Sequence, residues 1–529
     1  MKKKSFIYMF SVLALGLASC GDFLEEFSQN QRYATTAQDL DELLVGECFM
    51  GGTQRPSGGT QETMNVANGL SMNYPWLHVM DDDTEEFVQG GIPSTSNYPR
   101  NVLGSFYHWG ADPFLTLENV QYKDNDWTNF YKCIGVLNSI IYMAGDFRST
   151  EENIELLNRV EGEARFLRAG YYFLLVNMYG MPYCKATALR DAGVPLKITE
   201  YIEDKYFSRN SVEEVYSQMV IDLQRATECL KGITPASTLR VGEAAANALL
   251  SRIYLYMEEY EKCIDAADAV MAGTYSVLDL NGWTEGQNVI SWTSPETIFT
   301  QGGNAIYSTF LLPSINMIQG INSLHALSFQ VSEDLLQSYV EGDLRQEAFF
   351  KDSLYVSVPD KYKTWVDRTN DDGDEVGMDF LIRLPEVILN KAEALAMLNR
   401  DGEAKIELDK LRSKRFAVAP PVTETGGALI DFIREERRRE LCFEGHRWFD
   451  LRRYAVNSIH PLPENFTIRH RNNAYEAVSG TWYEDGYYEL NAYVKDKAAW
   501  MVPIPNYAIE FNKGELQNEI RPNRELIKN

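Results

Sequence analysis

Apolar residues in the middle of the chain recur at intervals of three and four, the spacing of a helix with one buried face. One such run extends from Glu163 to Tyr179, and Gly180 and Pro182 follow at the point where it stops. A second run extends from Val212 to Leu230. The spacing predicts two amphipathic helices, each with an apolar stripe that must pack against a neighbour.

Two later segments share a pattern of small and apolar positions. They cover 247–270 and 388–411, and each comes close to the spacing of a tetratricopeptide helix pair. One helix hairpin cannot bury its own apolar stripe, whereas stacked hairpins form a common core. We therefore predict a mainly α fold, built on a tetratricopeptide-like helical scaffold of the α-solenoid type.

Two long stretches lack this periodicity. Residues 46–113 and 281–324 are rich in glycine, serine, threonine, asparagine and proline. Compact proteins rarely carry structureless connections of this length unless the connections bind or gate something. These loop-rich regions are the first place where a ligand surface is expected.

The first twenty residues have the order of a secretory signal. Three lysines at 2–4 precede an apolar segment from Phe6 to Leu17, which is shorter than the ~20 residues that span a bilayer. Cys20 follows Leu-Ala-Ser, an order similar to the cleavage site of bacterial lipoproteins. We predict that residues 1–19 are removed, that Cys20 carries a lipid anchor and that 20–529 form a single domain. The alternative is an ordinary signal peptide that is cut nearby, with Cys20 incidental.

Composition narrows the choice of partners. The chain has 529 residues and a formal net charge of −26 at pH 7. Phosphate backbones repel so acidic a chain, so nucleic acid is not expected as a partner. The cysteines other than Cys20 include no C-x-x-C pair. Cys229, Cys263 and Cys442 lie on apolar helical faces and are expected to be buried free thiols.

Known catalytic and metal-binding motifs are missing. The sequence has no H-E-x-x-H, G-x-S-x-G, P-loop or dinucleotide fingerprint, and its six histidines are scattered. Two acidic runs, 81–86 and 371–375, do not fit an EF-hand loop and are expected to be solvated. No catalytic residue, metal or cofactor is predicted, although two carboxylates that converge only in the fold, as in a glycosidase, would escape a sequence search.

Ligand capture requires flat aromatic faces with polar groups nearby. Both loop-rich regions contain such residues, whereas Trp127 precedes Tyr131 at helical spacing and is expected in the core. The candidate ligand-binding residues are Trp76, Asp82, Trp109, Trp283, Trp292 and Tyr307.

The run from Arg434 to Glu440 is densely charged. Glu435 and Arg439 have a favourable helical spacing, but such a pair contributes only about 0.2 to 0.5 kcal/mol. We therefore predict a network that locks this helix to a neighbour, rather than a catalytic cluster. Its members are expected to be Arg437, Glu440, Glu444, Arg447 and Asp450.

Four segments together resemble one protein family, the SusD/RagB family of nutrient-binding outer-membrane lipoproteins. The resemblance extends over nearly all of the chain, and only the last segment departs from the family pattern, at Ala508, Lys513 and Glu519. The segments are EARFLRA at 163–169, RLPEVILNKAEAL at 383–395, IREERRRELCFEGHRWFDLRR at 433–453, and Pro503-Ile504-Pro505 with Asn512, Gln517 and Asn518.

The resemblance implies a function. A protein of this kind is anchored through its first cysteine to outer-membrane lipid and exposed at the cell surface. It captures oligosaccharides and delivers them to a SusC-like TonB-dependent transporter, and it is not an enzyme. Three alternatives stay open: oligopeptides as the ligand, a surface glycoside hydrolase, and a repeat scaffold that binds only proteins.

Overall fold

The structure is a computed structural model, and helices make up most of its secondary structure. The described residues are 34–50, 73–87, 99–122, 124–150, 152–291, 293–302, 306, 309–310, 328–352, 357–361 and 379–528. In chain order the α-helices are α1 (Ala37–Glu47), α2 (Pro99–Tyr107), α3 (Asp126–Phe147), α4 (Ile154–Tyr179), α5 (Val212–Leu230), α6 (Glu243–Tyr256), α7 (Tyr260–Met271), α8 (Glu333–Gln337), α9 (Arg345–Phe349), α10 (Leu384–Met397), α11 (Asp401–Arg412), α12 (Gly427–Leu441), α13 (Arg447–Val456), α14 (Tyr493–Asp496) and α15 (Asn506–Phe511).

The strands are short and pair as antiparallel two-stranded sheets: β1 with β3, β2 with β6, β4 with β5, and β7 with β8. Short 3-10 helices cover Pro75–Val79, Leu280–Gly282 and Lys497–Trp500. The strands are β1 (Thr84–Phe87), β2 (Thr297–Phe299), β3 (Ser328–Val331), β4 (Phe350–Asp352), β5 (Ser357–Pro359), β6 (Ile382–Arg383), β7 (Ile468–Glu476) and β8 (Thr481–Leu490).

The two helices predicted from apolar spacing are α4 and α5. α4 begins at Ile154, earlier than predicted, and the side chain of Asn153 caps its first turn. α5 covers Val212–Leu230 as predicted, because Ser211 and Glu214 form a capping box that fixes its start.

The predicted repeats are helix hairpins. α6 and α7 form one hairpin, α10 and α11 form another, and α7 packs against α10 so that the two hairpins stack. α4 packs along α5, which in turn contacts α6. The mainly α, tetratricopeptide-like scaffold is therefore confirmed. Among the described residues, no helix is both long enough and apolar enough to cross a bilayer.

α4 lies at the centre of the core. Nearly every residue from Val160 to Tyr179 is buried, so this helix is covered on all sides rather than along one stripe. Trp127 is buried as predicted. Cys229, Cys263 and Cys442 are buried free thiols, which confirms the prediction made for them.

A network of buried charges surrounds the end of α12. The Glu440 carboxylate accepts hydrogen bonds from Arg383 Nη1 at 2.8 Å and from Arg415 Nε and Nη2 at 2.9 and 2.8 Å. Glu444 accepts from Lys361 Nζ at 2.5 Å and from Arg383 Nη2 at 2.7 Å. Burial opposes ionisation of Glu440, but Arg415 and Arg383 outweigh burial and hold the pKa of that carboxyl well below its usual range.

The network continues into α13 and into the turn before β1. Arg437 Nε donates to Asp450 Oδ2 at 2.7 Å. Arg447 donates from Nε and Nη2 to the two carboxylate oxygens of Asp82, at 2.7 and 2.8 Å. The predicted members of the network therefore make ion pairs with one another or with neighbouring segments. Arg437 joins α12 to α13, and Arg447 joins α13 to the turn before β1.

The acids Asp81, Asp83 and Glu86 are buried, and Asp82 and Glu85 are partly buried, so the expectation that the acidic run 81–86 is solvated was wrong. Asp83 and Glu86 are at most 2% exposed. Asp83 Oδ1 accepts from Arg438 Nε at 2.7 Å, and Glu86 pairs with Arg100. These acids neutralise guanidinium groups, and the one paired with Asp83, Arg438, lies 355 residues away in the sequence.

We predict that Glu440→Gln destabilises the protein by about 3 kcal/mol or more, because it removes one partner of a buried ion network and leaves guanidinium charges uncompensated. Urea unfolding followed by circular dichroism measures the change. Glu435→Gln on the same helix is the matched control, since its side chain is 46% exposed, and it should change stability by no more than about 0.5 kcal/mol. Equal stability of the two variants would contradict the importance of the network.

Candidate functional site

Met50, Asn73, Gln301 and Asp379 are joined by hydrogen bonds, and we call them the loop-end cluster. Met50 N donates to Gln301 Oε1 at 3.0 Å, and Gln301 N donates to the Asp379 carbonyl oxygen at 3.1 Å. Asn73 Nδ2 donates to Asp379 Oδ2 at 3.4 Å. These contacts tie residues of both loop-rich regions to the residue that leads into β6 and α10.

The pairing of β1 with β3 connects the first loop-rich region to a strand that follows the second. Thr84 is the partner of Val331, and Phe87 is the partner of Ser328. β1 belongs to the region 46–113, and β3 begins shortly after 281–324. The fold therefore brings together two stretches that are more than two hundred residues apart, as a composite ligand surface would require.

A pair of buried acids lies beneath the loop-end cluster. Tyr74 N donates to Asp126 Oδ2 at 2.9 Å, and the Tyr179 hydroxyl donates to Asp124 Oδ2 at 3.0 Å. Asp126 N also donates to Asp124 Oδ1 at 3.2 Å, so the two acids are close neighbours. Burial and the neighbouring charge of Asp124 raise the pKa of Asp126 well above its usual range. Within the described part of the chain, no group of acid, histidine and cysteine side chains is arranged to hold a metal ion.

The β7–β8 hairpin carries an aromatic surface. Tyr475 and Trp482 are cross-strand partners with ring centroids 5.3 Å apart. The Arg100 guanidinium lies 5.3 Å from the centroid of the Trp482 ring, within the range of a cation–π interaction. Tyr483, the next residue along β8, points to the opposite face of the hairpin. We call Arg100, Tyr475 and Trp482 the hairpin surface.

Charged and amide groups lie beside the hairpin surface, where they could contact hydroxyl groups of a ligand. Glu85 on β1 accepts from Arg471 Nη2 at 2.7 Å and from Gln330 Nε2 at 2.5 Å. Arg100 pairs with Glu86 and also donates to the Asn473 carbonyl oxygen at 3.0 Å. The guanidinium groups of Arg100 and Arg471 both have carboxylate partners, so they present paired polar groups to a ligand.

Three predicted ligand residues have structural roles, and their assignment is corrected here. Trp76 is 0% exposed and stacks on Phe106 with centroids 5.3 Å apart. Trp109 is also 0% exposed, and its ring stacks on His470 at 4.1 Å. Asp82 is engaged at both oxygens by a buried arginine, as described above. Aromatic crowding in a glycine-rich sequence indicated a surface, but these rings fill the core.

Trp283 is the described candidate that retains surface. It is partly buried against the core, and its Nε1 donates to the Gln287 carbonyl oxygen at 3.0 Å. It stays a predicted ligand residue. Cys20, Trp292, Tyr307 and the acidic run 371–375 lie outside the described residues.

The sequence analysis missed the hairpin surface, although a local signal was present. Tyr475 and Trp482 stand in two stretches that contain several aromatic residues, on either side of the short turn around Gly480, a composition typical of a β-hairpin. The search was restricted to the two loop-rich regions, and the hairpin lies outside both.

The described fold is a stacked-hairpin scaffold. Hydrogen bonds join its loop-end cluster, and an ion pair between Arg471 and Glu85 connects the aromatic hairpin to β1. Family models match two parts of the chain. Residues 352–520 match a model described as the SusD family, and residues 81–255 match one described as "Starch-binding associating with outer membrane". The chain belongs to the SusD/RagB family.

Individual relatives agree with this membership. SusD-like protein P2 of Formosa agariphila is 26% identical over 388 residues, which cover 64% of this chain and 74% of that protein. A SusD-like protein of Bacteroides ovatus is 21% identical over 74% of each chain. Two solved structures from Bacteroides vulgatus share the fold: a SusD superfamily protein (TM-score 0.66, 20% identity, 92% and 100% of the two chains) and a putative sugar binding protein (TM-score 0.65, 21% identity, 92% and 99%).

We predict that Asp126→Asn stabilises the protein increasingly as the pH rises from about 5 to about 9. In the unfolded chain an aspartate ionises near pH ~4, whereas the raised pKa of Asp126 keeps this group protonated in the folded chain. In the parent chain, the stability that protonated Asp126 contributes is therefore present at low pH. It is lost as the pH rises toward the pKa that Asp126 has in the folded chain. The asparagine side-chain oxygen can accept from Tyr74 N in the same way, so that hydrogen bond survives.

Melting temperatures of the variant and the parent chain, recorded across this pH range, test the prediction. Asp268→Asn on the exposed face of α7 is the control and should show a constant difference from the parent. A constant difference for Asp126→Asn as well would mean that the buried pair is ionised throughout.

Proposed function

We propose that this protein is a nutrient-binding lipoprotein of the outer membrane that captures oligosaccharides at the cell surface. The observation that carries the proposal is the hairpin surface, where Trp482 and Tyr475 offer ring area beside paired polar side chains. Flat aromatic rings bind the apolar faces of sugars, and adjacent charged and amide groups bind their hydroxyls. The relatives named as starch-binding and sugar-binding support the same class of ligand.

Binding without turnover is part of the proposal. The acids Asp124 and Asp126, which have raised pKa values, are both 3% exposed and are enclosed by Tyr74 and Tyr179. A glycosidase requires its acid and its nucleophile or base on either side of a bound sugar, and a pair this deeply enclosed cannot reach one. This geometry favours capture over hydrolysis.

Delivery requires an anchor and a partner. We propose that Cys20 is lipidated after removal of 1–19 and that the protein acts together with a SusC-like TonB-dependent transporter. Family membership supports both steps, because the matched model is described as associating with the outer membrane. Several acyl chains on one cysteine would give stable attachment, at about 0.8 kcal/mol for each buried CH2.

We predict that Trp482→Ala weakens oligosaccharide binding at least tenfold, which corresponds to about 1.4 kcal/mol. Calorimetry with the mature chain carrying Cys20→Ser, against panels of oligosaccharides and oligopeptides, measures the affinity. Trp283→Ala is examined in parallel. Tyr201→Ala is the control, since Tyr201 is an exposed aromatic residue (59%) outside the hairpin surface.

Each outcome selects among the functions considered. Oligosaccharide binding that Trp482→Ala weakens and Tyr201→Ala leaves unchanged supports the proposal. Peptide binding alone would change the ligand class, and release of shorter sugars would establish an enzyme. Binding of neither panel would favour a scaffold that contacts only proteins.

We predict that Cys20→Ala abolishes incorporation of labelled palmitate and releases the protein from the outer membrane. The parent chain should retain the label and copurify with a TonB-dependent transporter after mild detergent extraction. Label in the Cys20→Ala chain would refute the anchor, and a purified parent chain without any transporter would refute the partner.

A further inference from the structure

A cavity of about 470 Å³ lies where the C-terminal tail crosses the end of α4. Tyr179 and Met181 line it from the α4 side, and Met501 and Val502 line it from the tail side. Pockets that hold small ligands typically have volumes of about 300 to 1,000 Å³. The size and the mixed lining therefore suit a small molecule, and we call this space the tail cavity.

Two arginines line the tail cavity, and Arg209 is the first. Its Nε donates to the Gln517 carbonyl oxygen at 3.0 Å, and its Nη1 donates to the carbonyl oxygens of Tyr179 and Gly193, both at 2.8 Å. Its Nη2 donates to Asn518 Oδ1 at 3.2 Å. Carbonyl and amide oxygens thus hold the side chain in place, while no ion pair to a carboxylate forms among the described residues.

Arg521 is the second arginine and is only 9% exposed. Its Nε donates to the Gly110 carbonyl oxygen at 3.1 Å, and its Nη1 donates to the carbonyl oxygens of Ala498 and Met501. Its Nη2 has no hydrogen-bond partner in the described structure. Burial lowers the pKa of both Arg209 and Arg521 to about 10.

The guanidinium groups of Arg209 and Arg521 carry positive charge, and neither forms an ion pair with a carboxylate among the described residues. A buried charge is costly unless it is paired. The buried guanidinium groups of Arg383, Arg415 and Arg453 do have carboxylate partners, whereas Arg452, like the two cavity arginines, is held by carbonyl oxygens. The acids that line the tail cavity, Glu515 and Glu519, are both exposed, so water screens their effect on the arginines. A ligand with a single negative charge would compensate the positive charge of the two arginines without strong repulsion from Glu515 and Glu519.

We propose that the tail cavity is a second binding site, for a small molecule that carries one carboxylate group. The carboxylate contacts the guanidinium groups of Arg521 and Arg209, and the amide groups of Gln517 and Asn518 contact its polar substituents. A sugar acid and the C-terminus of a short peptide both present this chemistry. The site goes beyond the proposed function and shares no lining residue with the hairpin surface.

Calorimetry on the mature chain carrying Cys20→Ser tests the proposal with matched probes. Glucuronate is compared with glucose, and the dipeptide Gly-Leu is compared with its C-terminal amide. We predict that at least one acid binds at least about tenfold more tightly than its neutral counterpart, since hydrogen bonds to charged groups are the stronger kind. The arm that shows this preference identifies the source of the carboxylate.

Substitutions identify the site at which the acid binds. Arg521→Gln should abolish the preference for the acid, Trp482→Ala should leave it unchanged, and Glu519→Gln should tighten binding of the acid about twofold or more, because it removes a repelling charge. Arg400→Gln, an exposed arginine on the scaffold, is the control. If Arg521→Gln does not fold, Glu519→Gln decides the question.

Equal affinity for acids and neutral probes would overturn the proposal. So would a preference for the acid that Trp482→Ala removes, since binding would then be at the hairpin surface. Unchanged affinity in the Glu519→Gln chain would likewise place the bound acid elsewhere.

Discussion

Ion pairing inside the protein is the constraint on which the rest of the structure depends. α12 presents Glu440 to the interior and α13 presents Arg453, at positions where an ordinary helix would bury apolar side chains. Each charge is acceptable only because its partner reaches it, as Arg415 reaches Glu440 and Glu393 reaches Arg453. The stacked hairpins supply a core by apolar packing, but the ion pairs fix how the loops and the C-terminal third attach to it.

The candidate ligand surface depends on the same pairs. Arg438 and Arg447 hold the turn that contains Asp82 and Asp83, and this turn leads directly into β1. β1 then pairs with β3, and Arg100 at the start of α2 stacks on the hairpin. The surface therefore rests on a rigid base although its own strands are short, which keeps a binding site ordered before any ligand arrives.

Sequence reasoning succeeded where the signal is local and failed where it is not. α5 could be delimited because its apolar spacing and its capping residues, Ser211 and Glu214, lie within one segment. The charged run of α12 could be assigned to a network because exposed pairs alone contribute little. The burial of Trp109 could not be foreseen, since it depends on His470, a residue in a hairpin far along the chain. The hairpin surface itself was within reach, because its aromatic residues stand close in sequence on either side of the turn around Gly480.

The pairing of Asp82 with Arg447 spans 365 residues of sequence, and this separation has a consequence for how the protein is made. Synthesis proceeds from the N-terminus, so the acid emerges long before its partner. Until the arginine arrives, the first half of the chain contains acids that it cannot bury, and its tertiary structure cannot close. Folding is therefore a late event that needs the whole polypeptide. A product truncated before 437 should be a substrate for proteases rather than a smaller working protein.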